Sequence, residues 1–201
     1  PNVKVRITYP SSGVAPVTVG CSVDAFAIRP ASLVIGAARD TDWATAGAVR
    51  TLNNLAFSAG NTVVHKAGQP FTLTATANNS LGNTTTNYAG SPTVSVSACA
   101  TAGPPAACTS AFGTLTPGTW GAASGVVTTT TASYSDVGSF GLQLQDATYA
   151  NIDAGDGSTA AQMTIPLSAK VDVGRFVPDH FDVTATGTAP QFLTFNSASC
   201  T

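Results

Sequence analysis

Glutamate is absent from this chain: all ten acidic residues are aspartates, from Asp24 to Asp182, and only three lysines, Lys4, Lys66 and Lys170, stand beside them. The residues that usually decorate exposed helices are therefore almost missing, which argues against long surface helices. Charged residues make up 9% of the 201 residues, against a usual share of about 25%. With a formal net charge of −2 and no basic stripe or block of like charge, the chain lacks the electrostatic footprint of a nucleic-acid or anionic-membrane partner. No apolar run approaches the roughly 18 residues of a membrane-spanning helix, so no membrane insertion is expected. The patterns G-x-S-x-G, H-E-x-x-H and the P-loop do not occur, and histidine is confined to His65 and His180. A non-enzymatic chain without a cofactor is the expectation.

What is present points to strands. Hydrophobic residues reach 43%, enough for a sizeable core, and threonine and valine supply β-branched side chains that suit a pleated, half-buried surface. Nineteen glycines and twelve prolines supply turns. Val3–Tyr9 and Val17–Ile28 read as extended stretches separated by Pro10-Ser-Ser-Gly13, whereas residues 31–55 are Ala-rich with no clear period, and 42–50 suit either a helical turn or a loop. In Phe71–Ala77, Phe71, Leu73, Ala75 and Ala77 alternate with threonines, the signature of a half-buried strand. Strands are also predicted at Thr93–Ser97, Gly125–Tyr134, Ser139–Asp146 and Gln162–Val173, the last an edge or bulged strand because of Pro166. Phe181–Thr186 and Gln191–Phe195 read as further strands, either the opening of another β domain or strands packed back on the first. The spacing predicts an all-β fold, an immunoglobulin-like antiparallel β-sandwich at 58–172, with β-rich flanking segments at 1–57 and 173–201. The start at Pro1, without initiator methionine or leader, reads as a mature fragment or a piece of something larger.

Four cysteines are present. Cys99 and Cys108 bracket a Pro/Gly turn, the arrangement of a disulfide pinching a loop, and they lack the CxxC pairs of a zinc site. An oxidising compartment follows. Cys21 and Cys200, near the two ends, are the remaining candidate pair. Asp146, Asp153 and Asp156, with Asn151 and the turns at Gly155 and Gly157, form the densest group of hard oxygen ligands and the weak candidate for calcium, set against an ordinary Asp/Gly turn. Asp179-His180 is read as fixing a domain junction rather than as a catalytic or metal pair. Gly155–Ala160 satisfies G-x-G-x-x-A, but a strand rather than a helix is expected after it, so the match reads as coincidence. Asn78-Asn-Ser80 and Asn83-Thr-Thr85 match glycosylation sequons. Trp43, Trp120, Tyr88, Tyr134 and Tyr149 are the candidate aromatic platform for sugar rings in an alternative, lectin-like reading with calcium assistance and a glycan partner, which rests on exposed Trp43 or Trp120, while Tyr88 and Tyr134 suit packing at strand corners.

The segment Ala67–Ala77, then Leu81-Gly-Asn-Thr84 and Asn87-Tyr-Ala-Gly90, resembles the pattern of bacterial immunoglobulin-like surface repeats, and Tyr134-Ser-Asp-Val-Gly-Ser-Phe140 is similar to their later Tyr-x-x-x-Gly-x-Phe corner. Cys21–Pro30 and Val173–Phe181 together resemble the MshQ-like proteins associated with biogenesis of the mannose-sensitive haemagglutinin type IV pilus. That resemblance implies an extracellular or surface-exposed protein of a Gram-negative bacterium, exported through the periplasm. Its expected role is structural or adhesive. Its expected partners are other proteins of a surface or pilus assembly, or a copy of itself through a strand edge.

Overall fold

The computed structural model describes residues 2–9, 18–41, 47–52, 65–99 and 112–182. The protein is all-β, with fourteen strands among the described residues. Near the start, β1 (Asn2–Val3) pairs with β4 (Phe26–Ala27), and β2 (Arg6–Tyr9) pairs with β3 (Thr18–Cys21), each antiparallel. The next strands are β5 (Ser32–Thr41), β6 (Val49–Thr51), β7 (His65–Lys66) and β8 (Phe71–Asn78). They are followed by β9 (Thr93–Ser97), β10 (Leu115–Thr116), β11 (Gly121–Ala123), β12 (Val126–Tyr134), β13 (Gly138–Gln145) and β14 (Val171–Val177). One sheet has the order β10-β12-β8-β5-β6, with β11 also on β12; a second has the order β7-β14-β13-β9. All pairings are antiparallel except β7 with β14.

The threonine alternation of β8 does what its period requires. Phe71, Leu73, Ala75 and Ala77 are buried, and the threonines between them are half-buried on the other face. Its two neighbours carry a bulge at nearly the same height: β5 shifts register between Ile35 and Ala38, and β12 between Thr129 and Ala132. Inward-facing positions therefore change phase, from Leu33 and Ile35 to Ala38 and Asp40, and from Val127 and Thr129 to Ala132 and Tyr134. The second sheet supplies Phe140, Leu142, Leu144, Val173 and Phe176, and residues of both sheets form one cluster. At its centre, Tyr134 and Phe140 have ring centroids 4.4 Å apart, and Phe176 lies 5.0 Å from Tyr134 and 5.4 Å from Phe71. Fully burying each such side chain contributes about 1.5–3 kcal/mol.

Two expectations need correction. Residues 32–41, without an assigned period, form a ten-residue strand at the heart of the first sheet. Gln162–Val173 is not one strand: Ala160–Met163 forms a single helical turn, α1, and β14 starts only at Val171. Thr159 caps that turn through a capping box with Gln162, a signal present in Thr159-Ala-Ala-Gln162. Leu33, Ile35 and Leu52, before residue 58, and Val173 and Phe176, after residue 172, belong to the same buried cluster as the central strands. Phe181 is exposed and outside any strand, and residues 183–201 lie outside the described residues.

Candidate functional site

The turn after β8 begins a groove. Asn79 Oδ1 accepts hydrogen bonds from the backbone of Leu81 (2.9 Å) and Asn83 (3.0 Å), and Gly82 takes the φ of +82° that closes such a turn most easily without a side chain. Thr85 then anchors the returning chain, its backbone N–H (2.8 Å) and hydroxyl (2.9 Å) both donating to the Ala77 carbonyl. This return delivers Tyr88 into the interior, where its hydroxyl donates to Asp146 Oδ2 at 2.8 Å. Asp146 ends the β13 run in an isolated bridge with Ile165, and its Oδ1 accepts from the Thr148 backbone (3.0 Å) and hydroxyl (3.2 Å). The carboxylate is thus buried with both oxygens bonded.

Tyr149 lies with its ring centroid 5.3 Å from that of Tyr88. Burial, reinforced by the bond to Asp146, pushes the Tyr88 phenol far above its ordinary value, and burial likewise raises Tyr149. Gly90 passes so close that a Cβ there would overlap Asp146 Oδ2 and the Tyr88 hydroxyl. Above this cluster lies a groove of about 360 Å³. Asn79, Thr84, Thr86 and Asn87 come to it from the turn after β8, and Val3 and Ile28 from the β1/β4 pair. Asp153, in the 3-10 turn Asn151–Asp156, accepts from the Ala27 backbone at 3.2 Å and ties that pair to the loop after β13.

A second cluster sits at the opposite end of β5. Asp40 and Arg50 are directly opposite one another on β5 and β6, and Arg50 grips the carboxylate with two nitrogens, Nε on Oδ1 at 3.1 Å and Nη2 on Oδ2 at 2.5 Å. His65 Nδ1 meets the same Oδ2 at 2.6 Å, and His65 Nε2 meets the Gln69 carbonyl at 3.1 Å. An acceptor therefore faces each ring nitrogen. The ring is buried edge-on between Phe71 and Phe176, each 5.7 Å away. The cluster joins β5 and β6 of one sheet to β7 of the other, which is a bracing role.

The calcium candidates are not brought together. Asp146 is committed to Tyr88 and Thr148, Asp153 to Ala27, and Asp156 is exposed; no group of three metal-ligating side chains occurs among the described residues. Cys99 is disulfide-bonded, while Cys108 and Cys200 lie outside the described residues. Cys21, set against Cys200 on the sequence, is a free and exposed thiol. Trp120 is half-buried and packed on the core, and Trp43 lies outside the described residues. Tyr134 is buried and its hydroxyl accepts from the Gly113 backbone at 3.0 Å, a packing and corner role.

His180 is exposed and pairs with Asp179 at 3.2 Å; Lys66 binds the same aspartate at 2.8 Å and, with His180, holds its carboxyl below the usual range. A helix does follow the G-x-G-x-x-A match, contrary to expectation, but it is the single turn α1, too short to offer a pyrophosphate site. Of the two sequons, Asn83 is exposed and Asn78 is half-buried with its Oδ1 unpartnered.

Sequence reasoning missed Asp40 and Arg50 altogether, and it did not connect Tyr88 with Asp146, 58 residues away. An aspartate in an Ala-rich stretch gives no sign of burial until the β5 bulge is known. No family model matches the chain, and no curated protein or solved structure matches it.

Proposed function

We propose that this chain is a structural or adhesive module of a bacterial surface protein, folded as an immunoglobulin-like β-sandwich and working by contact with other proteins or cell surfaces rather than by catalysis. The observation that carries the reading is strand order. Taken in turn, β5, β8, β10 and β12 correspond to strands A, B, D and E of an immunoglobulin constant-type domain, and β9, β13 and β14 to C, F and G. The first sheet then has the order D-E-B-A and the second G-F-C, the partition that fold requires.

The site chemistry agrees. His65 is held from both ring nitrogens inside a bracing cluster, and Asp146 is saturated by hydroxyl and backbone donors, so each is engaged in holding the fold. The β2–β3 ribbon, with Ile7 68% and Tyr9 74% exposed, supports contact with another protein, because an isolated two-stranded ribbon is marginal in water. The resemblance to pilus-associated proteins supports a location at the surface of a Gram-negative cell, and a Cys99–Cys108 bridge would fit that compartment.

Deleting residues 32–177 from the protein in its own cells tests the role. Loss of attachment to surfaces or to neighbouring cells, with growth unchanged, is expected. Unchanged attachment together with a metabolic defect would overturn it.

A further inference from the structure

We propose that the groove above Tyr88 and Tyr149 is a binding site for a neutral saccharide. Among the described residues no charged side chain lines it, so these offer no counter-charge to an anionic or a cationic ligand. What lines it instead is the mixed chemistry of a sugar: hydroxyls from Thr84 and Thr86, carboxamides from Asn79 and Asn87, and an amphipathic ring from Tyr149. Val3 and Ile28 add apolar surface for the C–H faces of a pyranose.

The donors are available. Asn79 uses its Oδ1 for the backbone of Leu81 and Asn83, and Asn87 uses its Oδ1 for the Thr86 hydroxyl at 3.2 Å. The Nδ2 groups of both carboxamides are left without a protein acceptor among the described residues. A ligand rich in hydroxyl and ring oxygens satisfies such a pair. At about 360 Å³ the groove lies toward the small end of the roughly 300–1,000 Å³ range of small-molecule sites, which suits one or two sugar rings rather than a folded partner.

The site is also built before any ligand arrives. Asp146 fixes the Tyr88 hydroxyl, Tyr88 supports the Tyr149 ring, and Asp153 holds the β1/β4 pair against the same loop. Pre-organisation of this kind lowers the ordering cost of binding. This site is separate from both tryptophans and requires no calcium, and it stands or falls independently of the display role proposed above.

The test is a titration of the isotope-labelled chain, followed by two-dimensional NMR, with glucose, galactose, mannose and N-acetylglucosamine, and with N-acetylneuraminate as the charged counterpart. At least one neutral sugar is expected to shift the side-chain amides of Asn79 and Asn87 and the ring signals of Tyr149. Asn87→Ala should weaken that sugar by about five- to tenfold, the loss of one hydrogen bond, with an unchanged thermal midpoint because Asn87 is exposed. Tyr149→Ala, checked for folding by the same midpoint, should weaken it further. The proposal is overturned by the absence of shifts with every neutral sugar. It is equally overturned by affinity that survives in both variants, or by a groove occupied only by the charged sugar or by an apolar peptide.

Discussion

Replacing Asp40 with alanine should be among the most damaging single changes to this fold that leaves its apolar core untouched. The Asp40 side chain is 1% exposed, and it is the shared partner of Arg50, 13% exposed, and of His65, 6% exposed. Removing it deletes three hydrogen bonds and takes the shared carboxylate from between the guanidinium and the imidazole in a nearly dry site. Breaking a buried ion pair from one side costs about 3–5 kcal/mol, and the partial exposure of Arg50 places the expected loss near about 3 kcal/mol. For a chain of this size that is a fall in thermal midpoint of roughly 6–12 °C.

Urea unfolding followed by circular dichroism measures the loss. A second change measures the coupling between the two side chains: Arg50→Met, made alone and in the Asp40→Ala background, closes a double-mutant cycle. The double variant should be more stable than the sum of the two single changes predicts, by at least about 1 kcal/mol. An Asp40→Ala protein within about 0.5 kcal/mol of the parent, or strict additivity in the cycle, would refute the bracing role.

Alkaline titration offers an independent check. The folded-state pKa values of Tyr88, Tyr134 and Tyr149 are raised above 10.0, chiefly by burial, so the stability tied to them is complete below that value and is lost as pH rises above it. Phenolate absorbance from these three tyrosines should therefore appear late, and together with unfolding; their early reversible ionisation in the folded chain would contradict the burial described. Gly90→Ala should force apart Tyr88 and Asp146 and destabilise by about 1–3 kcal/mol in urea unfolding, whereas a neutral outcome would show that the contact has slack. Asp179 should titrate below an ordinary aspartate in NMR, and Lys66→Met should move it back up; an unmoved titration would remove Lys66 as the cause.

The parts of the fold that were legible in the sequence are those with an unbroken period. In β8 every second residue from Phe71 to Ala77 is buried, as the alternation requires, and β9, β12 and β13 begin and end within a residue or two of the predicted limits. β5 was illegible because its bulge reverses the phase after Ile35, so Leu33 and Ile35 and then Ala38 and Asp40 face inward, and a search for strict alternation finds none. The α1 turn was legible and overlooked: Thr159-Ala-Ala-Gln162 is a capping box, but Pro166 and the surrounding apolar residues suggested an edge strand.

The groove lay beyond sequence reading for a different reason. Tyr88 meets Asp146, and Ala27 meets Asp153, across 58 and 126 residues of sequence, and nothing local to either member of a pair records the other.

The account's central claim, display at a bacterial surface, is tested most directly by labelling intact and permeabilised cells with an antibody raised against this chain. Equal labelling of both is the predicted result. Labelling that appears only after permeabilisation would contradict it.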